Sequence, residues 1–268
     1  MPAKTSKGPS RLPRRVGIRG KGRAGRAVAR ALTGAGIPVS WLPRRSPGRA
    51  RREYDVIVIA VPDDAIAAES ERLVAAGFRA RTVMHLLGAV PAKAAAAWRR
   101  TGAAVVSFHP LGSFAGTAEE TASGHAVAIE GDARGIATAR RLARTIGGHP
   151  WRIAAEKKAL YHAAATAVAG GTATLVAHAA RAAGSAGMPP REAVRAFAAL
   201  AEEAARNVRR RGFPAGLTGP LARGDAGTLD LHRRALAASP ELADVYRALS
   251  QAAREAILRT SRRRPPRS

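Results

Sequence analysis

The chain has 268 residues, of which 45 are lysine or arginine and 19 are aspartate or glutamate, so its formal net charge is +26. It contains no cysteine, which excludes disulfide bonds, thiolate metal sites and a cysteine nucleophile. The charge alone would suggest nucleic-acid binding. However, arginine is spread along the whole chain, only 4% of residues are aromatic, and a GC-rich coding bias can also produce a chain rich in arginine and alanine. We therefore expect no nucleic-acid partner.

The sequence begins with a basic stretch, residues 1–14, which we expect to be a flexible tail. It lacks the apolar core of a signal peptide, and no apolar run approaches the roughly 18 residues that a membrane span needs. These observations predict a cytoplasmic protein without a membrane partner.

Residues 15–153 alternate between short apolar runs and helical patterns. Strands are predicted at 15–19, 37–42, 55–61, 82–87, 103–108, 126–129 and 150–153. Helices are predicted between them at 23–34, 65–75, 91–100 and 133–146. Strands that alternate with helices indicate the α/β class, here a Rossmann-type domain with a doubly wound parallel sheet.

Residues 154–260 contain helical patterns only, at 156–183, 190–210, 225–237 and 240–260, and a second basic tail follows at 261–268. The sequence therefore predicts an all-α domain after the sheet. The first of these helices is apolar on most sides and rich in alanine and glycine. Such a helix must be buried, either within its own domain or in a dimer.

A glycine-rich turn, Gly20-x-Gly22-x-x-Gly25, joins the first strand to the first helix. In a dinucleotide site, the first glycine permits the turn, the second lets the backbone approach the pyrophosphate, and the third lets the helix pack against the strand. The helix amino terminus also offers N–H groups to the phosphates. An ordinary strand–helix turn is the alternative. The predicted cofactor-binding residues here are Gly20, Lys21, Gly22, Arg23, Ala24 and Gly25.

The end of the second strand favours NADP over NAD. NAD-binding domains carry an acidic residue there, which bonds the ribose 2′-hydroxyl. This sequence has no acid at that point and instead offers groups that can bind a 2′-phosphate, namely Arg44, Arg45 and Ser46. The end of the third strand is predicted to lie along the adenine ribose and the pyrophosphate, through Val61, Pro62 and Asp63.

Further motifs follow in order: Val-Ile-Ala-Val-Pro-Asp at 58–63, His-x-x-Gly at 85–88, Ser-Phe-His-Pro-Leu at 107–111, Ile-Glu-Gly-Asp at 129–132, Lys-Ala-Leu-Tyr-His at 158–162, Leu-Thr-Gly-Pro at 217–220 and Arg-Gly-Asp at 223–225. With them the chain resembles the Rossmann-like, DUF2520-containing family of predicted NADP oxidoreductases. That family is similar to pyrroline-5-carboxylate reductases and, more distantly, to β-hydroxyacid dehydrogenases. The resemblance implies a nicotinamide-binding domain followed by a helical domain for substrate binding and dimerisation. It therefore implies NADP(H), a small-molecule substrate and a homodimer.

Lys158 and His162 are four residues apart, so they share one face of a predicted helix. The β-hydroxyacid dehydrogenases carry a catalytic lysine, and an amide residue four positions later, on the corresponding helix. The resemblance thus implies that Lys158 is a general acid and that His162 orients the substrate. A solvent-facing lysine and a packed histidine are the alternatives. His109 ends a strand and either contacts the substrate or stabilises its loop.

His85 and Gly88 follow the fourth strand. Their loop is predicted to contact the substrate, because the carboxyl ends of parallel strands line the cleft. Thr218 is a candidate to close the pocket from the helical domain, although turn chemistry alone explains a Thr-Gly-Pro run. No spacing of histidine, aspartate and glutamate suggests a metal site.

The favoured function is hydride transfer between NADP(H) and a small carbonyl or imine compound. The alternative is a non-catalytic NADP-binding or regulatory protein that has kept the Rossmann site. Two departures from the family favour the alternative, because relatives usually carry a serine where this chain has Leu87 and an asparagine near Gly170. The predicted catalytic residues favour the enzyme: Lys158, His162 and His109.

Overall fold

The computed structural model of the chain describes residues 12–43 and 52–262. The chain divides into two compact units, with the boundary between Ala165 and Thr166. The first unit contains a seven-stranded sheet. Its strands are β1 (Val16–Arg19), β2 (Val39–Trp41), β3 (Arg52–Ile59), β4 (Phe78–His85), β5 (Ala104–Pro110), β6 (Ala126–Gly131) and β7 (His149–Arg152).

The strand order is β2-β1-β3-β4-β5-β6-β7, which confirms the predicted Rossmann-type sheet. Neighbouring strands are parallel except β5 and β6, which are antiparallel. The alternation of strands and helices predicts a fully parallel sheet, and this pair departs from that prediction. No helix lies between β5 and β6, so the chain turns back without the crossover that a parallel pair requires.

Helices cover both faces of the sheet, as its continuous apolar strands require. They are α1 (Arg23–Gly34), α2 (Ile66–Ala75) and α3 (Ala133–Thr145). Side chains from α1 and α3, such as Leu32 and Leu142, form one apolar cluster with the sheet. Leu73 of α2 and Trp98 belong to the cluster on the other face. The predicted helix 91–100 is a 3-10 segment instead (Ala92–Thr101), and Ala95 lies outside helical dihedral angles (φ −101°, ψ 25°).

The second unit is helical, as predicted. A long helix, α4 (Lys158–Ser185), crosses the boundary between the units. It is followed by α5 (Pro190–Arg211), α6 (Pro220–Arg223), α7 (Ala226–Ala235) and α8 (Pro240–Arg262). Asp225 caps α7 by accepting a hydrogen bond from the Thr228 N–H at 3.1 Å. The short helix α6 was not predicted.

The segment Ala155–Ser185, which includes α4, corrects one expectation from the sequence. Among the described residues it is long and apolar enough to cross a membrane, with a mean hydropathy of 1.2. The prediction from the sequence is that no apolar run reaches that length. The reason is that alanine and glycine, which are only moderately apolar, make up most of α4. Only 6% of the most apolar part of this segment is buried within the chain.

Candidate active site

The predicted site residues that precede α4 lie near the carboxyl edge of the sheet, at strand ends, on the loops that follow them or at the start of α1. β1 leads into the glycine turn, β3 into residues 60–63, and β4 into residues 86–88, while His109 lies near the end of β5. The strand order reverses between β1 and β3. Ligands of open α/β sheets bind at such a reversal, outside the carboxyl ends of the strands.

The glycine turn has the geometry of an anion cradle. Gly20 has a φ of +104°, and a Cβ atom there would overlap the carbonyl oxygen of Ala60, so the position requires glycine. Gly22 caps α1, and a Cβ atom there would meet nothing within 4 Å. The first N–H groups of α1 have no acceptor within the helix. An open backbone beside these N–H groups fits a dinucleotide phosphate.

The end of β3 borders a small cavity. Val61 and Pro62 line it together with Arg19 and Glu69, and its volume is about 440 Å³. Arg19 Nε forms an ion pair with the Glu69 carboxylate, which fixes both side chains at the cavity wall. Asp63 begins a short 3-10 turn (Asp63–Ala65). Val61 and Pro62, which line this cavity, are two of the residues predicted to lie along the adenine ribose and the pyrophosphate.

The remaining predicted cofactor residues divide into two groups. Lys21 and Arg23 are exposed beside the glycine turn, Ala24 is half-buried and Gly25 is buried. The residues predicted to bind the 2′-phosphate lie outside the described residues: Arg44, Arg45 and Ser46.

Lys158 begins α4 and is fully buried, which excludes the solvent-facing alternative. Its Nζ donates to Ser107 Oγ at 2.7 Å and to the carbonyl oxygen of Leu87 at 3.2 Å. Burial lowers the pKa of Lys158 to about 8, against the opposing effect of the Glu130 and Asp63 carboxylates. A group with this pKa can give up or take up a proton near neutral pH, as general acid–base catalysis requires.

Two histidines converge on Gly88. A Cβ atom at Gly88 would lie 2.9 Å from His109 Nε2 and closer still to His162 Nδ1. The two imidazole rings meet edge to face, with centroids 5.6 Å apart. Burial, together with the charges of His162 and Lys158, lowers the pKa of His109 to about 4, so His109 is neutral at physiological pH. His162 Nδ1 is buried, and within the described residues it has no hydrogen-bond partner.

His85 is bound by backbone groups on both sides of its ring. Nε2 donates to the carbonyl oxygen of Pro91, and the Leu87 N–H donates to Nδ1, each at 3.2 Å. Burial and the nearby Lys158 lower its pKa to about 4, so the neutral ring is retained. Both ring nitrogens are occupied, and this geometry gives His85 a role in holding the loop that contains Gly88.

Leu87 carries its side chain away from the polar cluster. The side chain packs in the apolar cluster that includes Ile59 and Trp98. The carbonyl oxygen accepts from Lys158 and also from Ser107 Oγ at 3.2 Å. An apolar residue at this position therefore leaves the contacts of Lys158 intact, because they use the backbone.

Two residues that the sequence analysis did not single out also take part. Ser107 accepts the hydrogen bond from Lys158, and Tyr161 bonds His109 Nδ1 through its hydroxyl at 2.9 Å. A signal existed for Ser107, since it lies two residues before His109 and strand side chains alternate between faces. Thr218 belongs to the second unit, where it is exposed. In residues 12–43 and 52–262, no group of three or more His, Cys, Asp or Glu side chains could hold a metal ion.

We compared the sequence with known protein families and the fold with solved structures. Residues 125–253 match the family described as a domain of unknown function, DUF2520. No curated protein sequence matches the chain. The fold is similar to that of a Thermotoga maritima protein, with a TM-score of 0.74 and 23% identity over 93% of this chain and 100% of that one.

Two further structures show the same fold. A candidate NADP oxidoreductase of Bacteroides fragilis has a TM-score of 0.69 and 20% identity, over 90% of this chain and 98% of that one. The pyrroline carboxylate reductase of Plasmodium falciparum, solved with NADP bound, has a TM-score of 0.56 and 11% identity, over 89% and 97% of the two chains. The family match and these folds together confirm the predicted resemblance. Residues 125–253 match the DUF2520 domain, and the chain shares the fold of these structures.

Proposed function

We propose that the chain is an NADP(H)-dependent oxidoreductase that acts on a small carbonyl or imine compound. The observation that carries the proposal is the position of Lys158. This buried lysine with a lowered pKa contacts the loop after β4 and the end of β5, at the sheet edge where the glycine turn follows β1. The Plasmodium falciparum reductase, solved with NADP bound, supports the choice of cofactor.

The residues of the first unit divide the chemistry between them. When bound, the reduced nicotinamide supplies a hydride to the carbonyl or imine carbon. Lys158 donates a proton to the heteroatom and is left as a neutral amine, which its buried site favours. The His109 and His162 ring nitrogens that meet at Gly88 orient the substrate. The backbone of the glycine turn and the amino end of α1 hold the phosphates.

A cofactor titration tests this function. We expect nicotinamide fluorescence to report tighter binding of NADPH than of NADH. The double substitution Arg44→Ala and Arg45→Ala should weaken NADPH binding by about 10-fold or more, because guanidinium–phosphate hydrogen bonds are lost, and should leave NADH binding unchanged. The control is Arg99→Ala with Arg100→Ala, a pair of adjacent arginines that form surface ion pairs with Asp132 and Glu71.

Each outcome of the titration is decisive. If neither cofactor binds, the proposal is wrong. Tight NADPH binding without consumption, across a panel of ketones, 2-oxo acids and cyclic imines, would favour the non-catalytic alternative. If the double variant bound NADPH and NADH more weakly by the same factor, the two arginines would not bind the 2′-phosphate.

We also propose that the chain forms a homodimer through α4. Leu160 and Val168 on this helix are each 72% exposed in the single chain. Gly170 and Gly171 follow, and a Cβ atom at either would meet nothing within 4 Å. Exposed apolar side chains beside small residues favour close packing of a second helix. Lys158 starts the same helix, so a dimer along α4 would lie next to the proposed site.

The substitution Val168→Glu tests the dimer. We expect light scattering to show a wild-type dimer and a variant whose dissociation constant is raised about 30-fold or more, because a buried apolar contact becomes a buried charge. Leu12→Glu is the control, since Leu12 is 43% exposed in the first unit and does not lie on α4. A monomeric wild type would contradict the proposal, and so would wild-type binding to lipid vesicles that Val168→Glu abolishes.

A further inference from the structure

A tyrosine–histidine pair lies inside the proposed site. Tyr161, in the first turn of α4, bonds His109 Nδ1 at 2.9 Å, and the two rings meet edge to face with centroids 5.5 Å apart. Trp151 also packs against Tyr161, with the two ring planes at 78° and their centroids 5.3 Å apart. Three aromatic rings in contact hold the tyrosine hydroxyl in place.

The chemistry of the two groups sets the direction of the hydrogen bond. Burial raises the pKa of Tyr161 and lowers that of His109, so both are neutral near pH 7. A phenol O–H is a stronger acid than an imidazole N–H, and an imidazole nitrogen is a better acceptor than a phenol oxygen. The hydroxyl of Tyr161 therefore donates to Nδ1, and the proton of the neutral ring resides on Nε2.

The other side of the imidazole faces Gly88. His109 Nε2 lies next to this glycine, which leaves no room for a side chain between the ring and the backbone. The Nε2–H group thus lies at the loop where the carboxyl ends of β4 and β5 meet and where Lys158 contributes its own donor. The ring orientation is fixed from the opposite end by Tyr161.

We propose that Tyr161 is a positioning residue that keeps the proton of His109 on Nε2, so that His109 offers a fixed N–H donor to the substrate heteroatom and is not the proton source. This inference rests on the proposed oxidoreductase function. It assigns the two residues different roles: Lys158 transfers the proton, while His109 polarises and orients the C=O or C=N group.

The test is Tyr161→Phe, which removes the hydroxyl and keeps the ring that packs against His109 and Trp151. In the wild type, ¹⁵N NMR should show a protonated Nε2 and an unprotonated Nδ1 for His109. In the variant we expect averaged shifts of a tautomer mixture, a kcat lowered by about 10- to 100-fold, and a nearly unchanged KM, as for other orienting hydrogen bonds to histidine.

The chain offers a matched control. Tyr246 forms the same kind of bond with His232 Nδ1, at 3.0 Å, between α7 and α8. Tyr246→Phe should leave the His109 shifts and kcat unchanged. A purely structural role for Tyr161 predicts lower stability in Tyr161→Phe with no change of the His109 tautomer, and that result would overturn the inference.

The NMR measurement separates this inference from the proposed function. It needs neither cofactor nor substrate. If the protein oxidised no NADPH but His109 showed the expected tautomer, the oxidoreductase proposal would be refuted and the effect of Tyr161 on His109 would stand. A wild-type His109 protonated on Nδ1 would overturn the inference whatever the activity. If Tyr161→Phe did not fold, this wild-type spectrum would decide alone.

Discussion

The substitution Lys158→Met is expected to lower kcat/KM for carbonyl or imine reduction by about 100- to 10,000-fold, the contribution of a positioned general acid. Methionine fills a similar volume but has no proton to give. The rate of NADPH oxidation measures the effect. Lys157→Met is the matched control, because Lys157 is adjacent, exposed and without a contact to Ser107. It should keep the wild-type rate.

The pH dependence of the wild-type activity should also show that Lys158 is the general acid. The pKa of Lys158 is about 8, so the lysine loses its proton above that pH. We expect kcat/KM for reduction to decrease above a pH of about 8, as one group loses its proton. His85 and His109 change charge only near pH 4 and do not contribute to this limb. The residual activity of Lys158→Met should not decrease above this pH.

The stability of Lys158→Met distinguishes loss of chemistry from loss of folding. Lowering the pKa from 10.5 to about 8 means that the charged lysine costs the folded state about 3 kcal/mol below pH 8, offset in part by its two hydrogen bonds. This cost declines between pH 8 and 10.5, where only the unfolded chain is still charged, and vanishes above. The free energy of unfolding of the variant at pH 7 should therefore be at least as large as that of the wild type.

Two results would contradict the role of Lys158 as a general acid that is not needed for folding. Wild-type turnover in Lys158→Met would remove the lysine from proton transfer. A variant that loses activity together with several kcal/mol of unfolding free energy at pH 7 would show that the lysine is needed for folding, since a buried charge that is only tolerated cannot stabilise the protein to that extent.

The sequence predicted most of the fold because hydrophobic periodicity and glycine spacing are local signals. The alternation of strands and helices up to β7 and the turn at Gly20 follow from residues that are neighbours in the chain. The antiparallel direction of β6 was missed although a signal for it existed. No helix is predicted between the strands at 103–108 and 126–129, and a parallel pair usually needs a helical crossover.

The candidate site was predicted only in part, because its contacts join distant segments. Spacing along one helix indicated Lys158 and His162. The bond between Tyr161 and His109 spans 52 residues, and that between Lys158 and Ser107 spans 51. Only tertiary packing brings such pairs together. The same packing buries Lys158 fully, which the sequence left open, because a solvent-facing position was one of its two interpretations.

The second large effect is expected at Gly22, where an alanine should abolish tight cofactor binding without damage to the fold. A Cβ atom at Gly22 would meet nothing within 4 Å, so the folded chain accommodates it. The same Cβ would project into the space through which a pyrophosphate approaches the backbone at the start of α1. We expect the Kd of NADPH to rise about 100-fold, which corresponds to roughly 2.7 kcal/mol.

Gly34→Ala provides the matched control at the other end of α1. A Cβ atom at Gly34 also meets nothing within 4 Å, and an alanine there should raise helix stability slightly. Calorimetry should therefore give an unfolding temperature at or above that of the wild type for Gly34→Ala and one close to it for Gly22→Ala, where alanine is a weaker N-cap than glycine, while fluorescence titration shows the loss of NADPH binding in Gly22→Ala alone. If Gly22→Ala binds NADPH as the wild type does, the phosphates do not lie on this turn, and the cofactor site must be sought elsewhere on the sheet.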